Sequence, residues 1–167
     1  MTFNGSHAPR AFALTRRAVV ASLTTLASGS LLESAQARPG RLIIASIPVG
    51  PVRTVAEYEH ALTIVQPRNR TAVVDVGATW CEFCGTLDRL ILPDPRVANL
   101  LAHLALIRVD VTPMTDQNRE LLGYLSVQGP PTLFVTDTVT GSEYPRTRSV
   151  GAFDVDNLES RLRPFVH

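Results

Sequence analysis

Cys81 and Cys84 are the only cysteines in the chain, and two residues separate them. Thiols at this spacing can close a disulfide and open it again, which is the chemistry of thiol–disulfide exchange. The pair stands where the sequence changes pattern. Upstream, Val73-Val74-Asp75-Val76 reads as a buried strand that stops at Gly77-Ala78-Thr79. Downstream, Phe83, Leu87, Leu90 and Ile91 recur at helical spacing and predict one apolar helix face. Cys81 is therefore expected at a helix N-terminus, where free N–H groups and the helix dipole favour thiolate. That makes Cys81 the expected nucleophile and Cys84, in the first turn, the resolving thiol. Two buried, inert cysteines are the bland alternative.

Other residues near the pair carry chemistry of their own. Asp75 interrupts an apolar strand. Burial raises a carboxyl pKa, so Asp75 could exchange a proton with Cys84; a hydrogen-bonded core Asp is the other reading. Asp88, four residues after Cys84, shares its helix face, and Glu82 adjoins Cys81. Both are candidates for tuning the thiols, and both are equally readable as solvated helix residues. Trp80 offers an aromatic contact surface beside the disulfide, or else is plain core. Pro131, before Thr132 at the start of a strand, reads by itself as part of a Pro-Pro turn.

Composition narrows the function classes. The chain has 167 residues, 45% of them hydrophobic, and a formal net charge of +1. One domain is expected, and nothing calls for nucleic acid or an anionic membrane surface. Two cysteines do not make a disulfide scaffold. A structural zinc site would have to recruit from His7, His60, His103 and His167, none at a paired metal spacing, so no metal and no separate cofactor is expected.

The elements around the pair follow from periodicity. Arg41 to Val49 is strand-like, closed by Pro48 and Gly50-Pro51. Thr54 can cap a helix with Val55, Tyr58, Leu62 and Val65 on one face. The central strand, Thr71 to Ala78, leads into the motif helix, which runs to about Leu92 and breaks at Pro93-Asp94-Pro95. A short helix with Val97, Leu100 and Leu101 follows, then a strand over Leu104–Val111, apolar enough to be buried on both faces. A helix spans Asp116 to Leu125, and a strand spans Leu133 to Thr136. Thr140-Gly141-Ser142 is a hairpin signal, with Glu143 to Val150 returning as an edge strand interrupted at Pro145. The last helix starts at Asp154, which can cap it, and continues to about Val166, with Val155, Leu158, Leu162 and Phe165 as its stripe. This order predicts an α/β fold: a central mixed sheet with helices on both faces.

Taken together, an Asp six residues before the first Cys, Trp80-Cys81-x-x-Cys84, and Gly129-x-Pro131-Thr132 resemble the thioredoxin superfamily. Leu92-Pro93-Asp94-Pro95, Val109-Asp110-Val111-Thr112, Val127-Gln128-Gly129-Pro130-Pro131-Thr132 and Val150-Gly151-Ala152-Phe153 are similar to the C-terminal thioredoxin-like domain of DsbD-type thiol:disulfide interchange proteins. The resemblance spans about Val55 to Val166. It implies that Pro131 is cis and faces the disulfide, leaving the backbone of Gly129 and Pro130 to pair with an extended substrate segment. It also implies oxidised extracytoplasmic proteins as substrates and a membrane-bound electron donor. Gly85 departs from that pattern, which often has lysine there, and Glu82-Phe83 is not the Gly-Pro of cytosolic thioredoxins.

The function expected is an exported thiol:disulfide reductase acting as a monomer. A disulfide oxidase or isomerase of the same fold is the alternative. A copper-binding module is the alternative from another class, since thiolates bind Cu(I), though no Met or His cluster flanks the pair.

Residues 1–37 read as an export signal, leaving a thioredoxin-like domain over 38–167. Arg10, Arg16 and Arg17 precede a stretch of about 15 apolar and small residues, short of the roughly 20 that span a bilayer. Ala35-Gln36-Ala37 then offers a cleavage site. Thr15-Arg16-Arg17-Ala18-Val19-Val20 resembles a twin-arginine signal; a general secretory signal and an uncleaved membrane anchor are the other readings. N-terminal sequencing of native protein is expected to find the chain starting at or near Arg38, outside the cytoplasm. Soluble cytoplasmic protein with an intact Met1 would refute it. Changing both Arg16 and Arg17 to Lys should block export by the twin-arginine route and leave general secretion unaffected.

Overall fold

Alternation along one central strand sorts the core into two layers. In the computed structural model, which describes residues 49–166, β2 (Thr71–Gly77) lies at the middle of a five-stranded sheet ordered β1-β3-β2-β4-β5. The expected export segment and residues 41–48 lie outside the described residues. Strand β3 (Ala105–Asp110) runs parallel to β2 on one side, and β1 (Val49–Val52) runs parallel to β3 beyond it. On the other side β4 (Thr132–Asp137) is antiparallel to β2, and β5 (Ser149–Val150) is antiparallel to β4. The sheet is mixed, as the element order predicts.

Successive strand residues point to opposite faces. Val74 and Val76 of β2, Ile107 and Val109 of β3 and Phe134 of β4 join one cluster with Tyr58, Leu62 and Leu121. These last come from α1 (Val55–Val65) and α4 (Asp116–Tyr124). Val73, Leu106, Leu133 and Val135 join the other, with Leu87, Val97, Leu101, Leu158 and Leu162. The helices here are α3 (Pro95–Leu101) and α5 (Val155–Leu162), together with the motif segment. Helices therefore cover both faces.

Side-chain caps set where these helices begin. Thr54 Oγ1 accepts from Glu57 N–H at 3.1 Å, and Asp94 Oδ1 from Arg96 N–H at 2.9 Å. Asp154 Oδ1 accepts from Asn157 N–H at 2.8 Å. Thr115 and Asn118 satisfy each other's backbone N–H reciprocally at the start of α4.

Four elements differ from the sequence reading. The first strand runs through Gly50-Pro51 instead of closing there. It is an edge strand, so the N–H missing at Pro51 leaves no partner strand unpaired. Gly50 is required: its φ is +149°, and a Cβ would lie 2.5 Å from the Arg108 carbonyl oxygen. The returning hairpin strand shrinks to Ser149–Val150 plus one bridge between Thr136 and Glu143. Past Pro145, the Thr147 hydroxyl takes over, accepting from Val135 N–H at 3.0 Å. Pro164 likewise ends α5 early, in a tight turn over Arg163–Phe165.

The fourth difference bears on the site. The motif helix is not one regular helix to Leu92. It is α2 (Glu82–Thr86) followed by a wider π-helical turn, Leu87–Ile91. Leu92 N–H donates to the Leu87 carbonyl, five residues back, at 2.9 Å. The extra residue shifts the phase of the stripe. Leu87 and Leu92 face the core, whereas Leu90, expected inward, is 68% exposed, and Phe83 is 53% exposed. Leu87→Ala is expected to cost about 2–5 kcal/mol, and Leu90→Ala no more than about 0.5 kcal/mol. Urea denaturation of the oxidised protein measures both; equal losses would mean the helix keeps its regular phase.

Candidate active site

The corner between β2 and α2 presents the two cysteines differently. Cys81 occupies the N-cap position of α2, with extended backbone. Its Sγ accepts a hydrogen bond from Cys84 N–H at 3.2 Å, the bond a capping oxygen would normally take. It is partly exposed, while Cys84 is buried. The two are joined as a disulfide. An accessible sulfur facing a backbone donor suits attack and leaving; a covered sulfur one turn on suits resolution.

Thr112 pins this corner from the turn that follows the neighbouring strand β3. Its hydroxyl accepts from Thr79 N–H at 3.0 Å, and its carbonyl accepts from Trp80 Nε1–H at 3.1 Å. Thr112 is absent from the sequence-derived site, because its partners lie on a different element. Trp80 is 56% exposed, an aromatic face beside Cys81 and not core.

A cleft of about 400 Å³ opens on one side of the disulfide. Cys81, Cys84, Gly85 and Asp88 line it from the motif segment, Asp75 from β2, Arg108 and Asp110 from β3, and Gly50 and Pro51 from the edge strand. Asp75 is fully enclosed by protein apart from this opening. Burial pushes its carboxyl up to about 6, the positive charge of Arg108 opposing that rise and the negative charge of Asp88 adding to it.

Arg108 sits directly opposite Asp75 in the β2–β3 register. Its Nη2 lies 3.6 Å from Asp75 Oδ2 and 2.6 Å from Asp88 Oδ1, so one guanidinium bridges both carboxylates. This residue is missing from the sequence-derived site. The strand over 104–111 reads as apolar on both faces, yet Arg108 is the one cation inside it. A lone cation in a buried strand requires a counter-ion, and that signal points to Asp75. Asp88 is thereby placed in the site. Glu82 is exposed in the first turn of α2. Arg89 folds back so that its guanidinium covers Gly85; a Cβ there would lie 2.9 Å from Arg89 Nη1. A cation thus comes close to the residue after Cys84 although Gly85 carries none.

On another side, a smaller hollow of about 180 Å³ is lined by Phe83, Thr86, Leu87, Ile91, Pro131 and the Gly151-Ala152-Phe153 turn. The Pro130–Pro131 bond is cis. Gly129 and Pro130 are half-buried ahead of it, the Gly129 carbonyl accepting from Thr132 Oγ1 at 2.7 Å. Phe83 and Phe153 are its aromatic members, and sequence reasoning left both out of the site. Among the described residues no cluster of His, Cys, Asp and Glu is set to hold a metal ion, and no helix is long and apolar enough to cross a membrane.

A family model described as thioredoxin-like matches residues 53–138, which holds the strand, the cysteine pair and the cis-proline. The chain belongs to the thioredoxin-like family. Curated relatives include the thiol:disulfide interchange proteins DsbD of Shigella boydii and Escherichia coli K12. Each is 32% identical over 112 residues, 67% of this chain and 19% of the relative. The chain therefore spans about a fifth of their length. Among solved structures, the reduced C-terminal domain of Neisseria meningitidis DsbD aligns with a TM-score of 0.58 at 23% identity, covering 68% of this chain and 97% of that one. A thioredoxin from Thermus thermophilus aligns at 0.57 with 24% identity, covering 72% and 87%. These likenesses establish the thioredoxin fold.

The buried carboxyl makes a stability prediction. Asp75 titrates higher in the folded protein than in the unfolded chain. Folding therefore favours its protonated form, and that contribution is complete below pH 4 and lost as pH rises through about 6. Asp75→Asn should consequently stabilise the protein above pH 7, by on the order of 2–3 kcal/mol for a shift of about two units. The gain should shrink towards nothing near pH 4. Urea denaturation at pH 4 and pH 8 checks this; a gain that does not depend on pH would place Asp75 in an unstrained ionic role.

Proposed function

We propose that this chain is an exported thiol:disulfide oxidoreductase that works as a reductase on oxidised extracytoplasmic proteins. The observation that carries the reading is the asymmetry of the pair: Cys81 capped and reachable, Cys84 buried beside the cleft that holds Asp75. The likeness to DsbD proteins supports it.

In this reading the Cys81 thiolate attacks a substrate disulfide. One substrate sulfur leaves as thiolate and takes up a proton, and Cys81 stays bound to the other. Asp75 then accepts the Cys84 proton, and the Cys84 thiolate attacks Cys81. The second substrate sulfur is released, the substrate gains two electrons, and the cysteine pair ends as a disulfide. Asp75 returns its proton through the cleft. The exposed apolar surface of Trp80 and Phe83, together with Pro131, would receive the partner's chain, with Gly129 and Pro130 offering backbone for strand-like pairing. Donation in the reducing direction needs a source of electrons, which we place in a membrane-bound partner, the chain itself acting as a monomer.

The direction rests on charge. Glu82, Asp75 and Asp88 surround the pair, and Arg108 is shared between two of them. A net negative surrounding disfavours a second thiolate and so makes the disulfide harder to reduce. We therefore expect a potential more reducing than about −200 mV, away from the −120 mV or so of strong oxidants. An oxidase or isomerase of the same fold is the second reading, favoured by the cations Arg89 and Arg108 near Cys84.

Trapping and equilibration test both parts. Cys84→Ser should accumulate a mixed disulfide on Cys81, and Cys81→Ser should form none. Equilibration of the parent protein with glutathione and dithiothreitol should give the low potential. A Cys84→Ser protein that turns over like the parent removes the resolving role. A potential near −120 mV reverses the direction of electron flow.

A further inference from the structure

Helix α4 ends in a chain reversal, and that reversal opens the loop which leads to Pro131. Ser126 has a φ of +51°, in the left-handed region that side chains disfavour. Its N–H donates to the Gly123 carbonyl at 3.0 Å, and Val127 N–H to the Leu122 carbonyl at 2.8 Å. These two bonds close the helix in a Schellman turn and leave the Leu125 and Ser126 carbonyls to find donors elsewhere. Both find Arg148. Its Nη2 donates to the Leu125 carbonyl at 3.0 Å, and its Nη1 to the Ser126 carbonyl at 2.9 Å. A cation there also meets the negative end of the helix dipole.

Two further contacts fix this guanidinium. Its Nε lies 3.1 Å from each carboxylate oxygen of Glu143, and Nη2 also donates to Glu143 Oε2. Its central carbon lies 4.7 Å from the centroid of the Phe134 ring. The residues after Arg148 hold the other end of the loop. Ser149 and Val150 pair with Leu133 and Thr132, and Gly151 N–H donates to the Pro131 carbonyl at 3.0 Å. The loop over 127–131 is thus hung at both ends from one stretch, 148–151. Arg161 of α5 donates in turn to the Arg148 carbonyl, so the anchor is itself held.

We propose that Arg148 is a positioning residue of the exchange reaction: its fork fixes where the backbone of Gly129 and Pro130 lies, and so how a substrate segment is laid against Cys81. This rests on the reading of that backbone as the edge with which a substrate pairs. The fork is needed, and not a positive charge alone. A planar guanidinium spans two carbonyls and a carboxylate at once, whereas an ammonium is a point donor. Without it, the Glu143 carboxylate and two carbonyl oxygens lose their shared donor, and the first residues of the loop gain by turning away.

Two disulfides with one leaving group test this. One is a short uncharged cysteine peptide joined to thionitrobenzoate, the other mercaptoethanol joined to thionitrobenzoate. Cys81 of the reduced protein attacks, thionitrobenzoate leaves, and Cys84 then releases the peptide or mercaptoethanol thiol as the pair becomes a disulfide. Of the two, the peptide has backbone to pair. Arg148→Met is expected to slow the peptide reaction about tenfold, the worth of one or two hydrogen bonds, and to leave the mercaptoethanol reaction unchanged. Arg148→Lys should fall between parent and Arg148→Met. In the oxidised protein, amide exchange at Ser126 and Val127 should quicken, and the Gly129 amide resonance should move. Both reactions slowed alike in folded protein overturn the proposal. A slowed peptide reaction with unmoved loop amides also overturns it, and leaves the pairing of substrate with Gly129 and Pro130 standing. Where the amides move and the peptide rate does not, that pairing falls and the proposal with it. If Arg148→Met does not fold, the same rates and amides in Arg148→Lys decide the matter.

Discussion

Burying one carboxylate in the middle of a sheet is the constraint on which this site depends. An ionised side chain withdrawn from water costs several kcal/mol unless charge or hydrogen bonds meet it. Asp75 is met from a single direction, by Arg108 on the adjacent strand. That pairing is possible only because β2 and β3 run parallel in a register that sets positions 75 and 108 side by side, on the same face. Slipping either strand by one residue would send one charge into the opposite layer, among Tyr58, Leu62 and Phe134, with no partner. The ion pair and the two-layer core are thus one arrangement, and neither survives a change of register.

The second charge contact ties this sheet to the helix that carries the thiols. Asp88 lies in the wide turn that interrupts the helical phase, and it holds the outer side of the same guanidinium. The turn also lets Leu87 and Leu92, five residues apart, both reach the core. The helix is therefore anchored at two depths, by apolar packing below and by charge above. Its N-terminal end is fixed differently, by Thr112 reaching across to Thr79 and Trp80. Between these anchors Cys81 and Cys84 stand in unlike surroundings, though the sequence separating them is only Glu82-Phe83.

The two hollows beside the pair differ in character because they are built by different elements. The larger one gathers the charged ends of β2 and β3 and the backbone of an edge strand pressed close by Gly50. The smaller is made by apolar side chains of the motif segment and the Pro131 and Gly151 turns. The disulfide thus stands between a cleft that gathers charged side chains and a hollow that gathers apolar ones.

Much of this was legible in the residues alone. The cysteine pair at a strand-to-helix change, the buried strand interrupted by Asp75, the caps at Thr54 and Asp154, and the α/β order with a mixed sheet all follow from local pattern. Hydrophobic period and capping chemistry act over a few residues, so the sequence states them directly. What tertiary structure alone decided is pairing. The π-helical turn turns Leu90 outward because a core contact, not helical propensity, sets the phase. Arg108 and Thr112 join the site because β2 and β3, distant in sequence, come into register and bring the turn after β3 with them. Phe83 and Phe153 line one groove because α2 and the distant turn over 151–153 close on it. Those partnerships depend on which strand lies beside which, a choice made by the packing of the whole sheet and written in no single stretch of the chain.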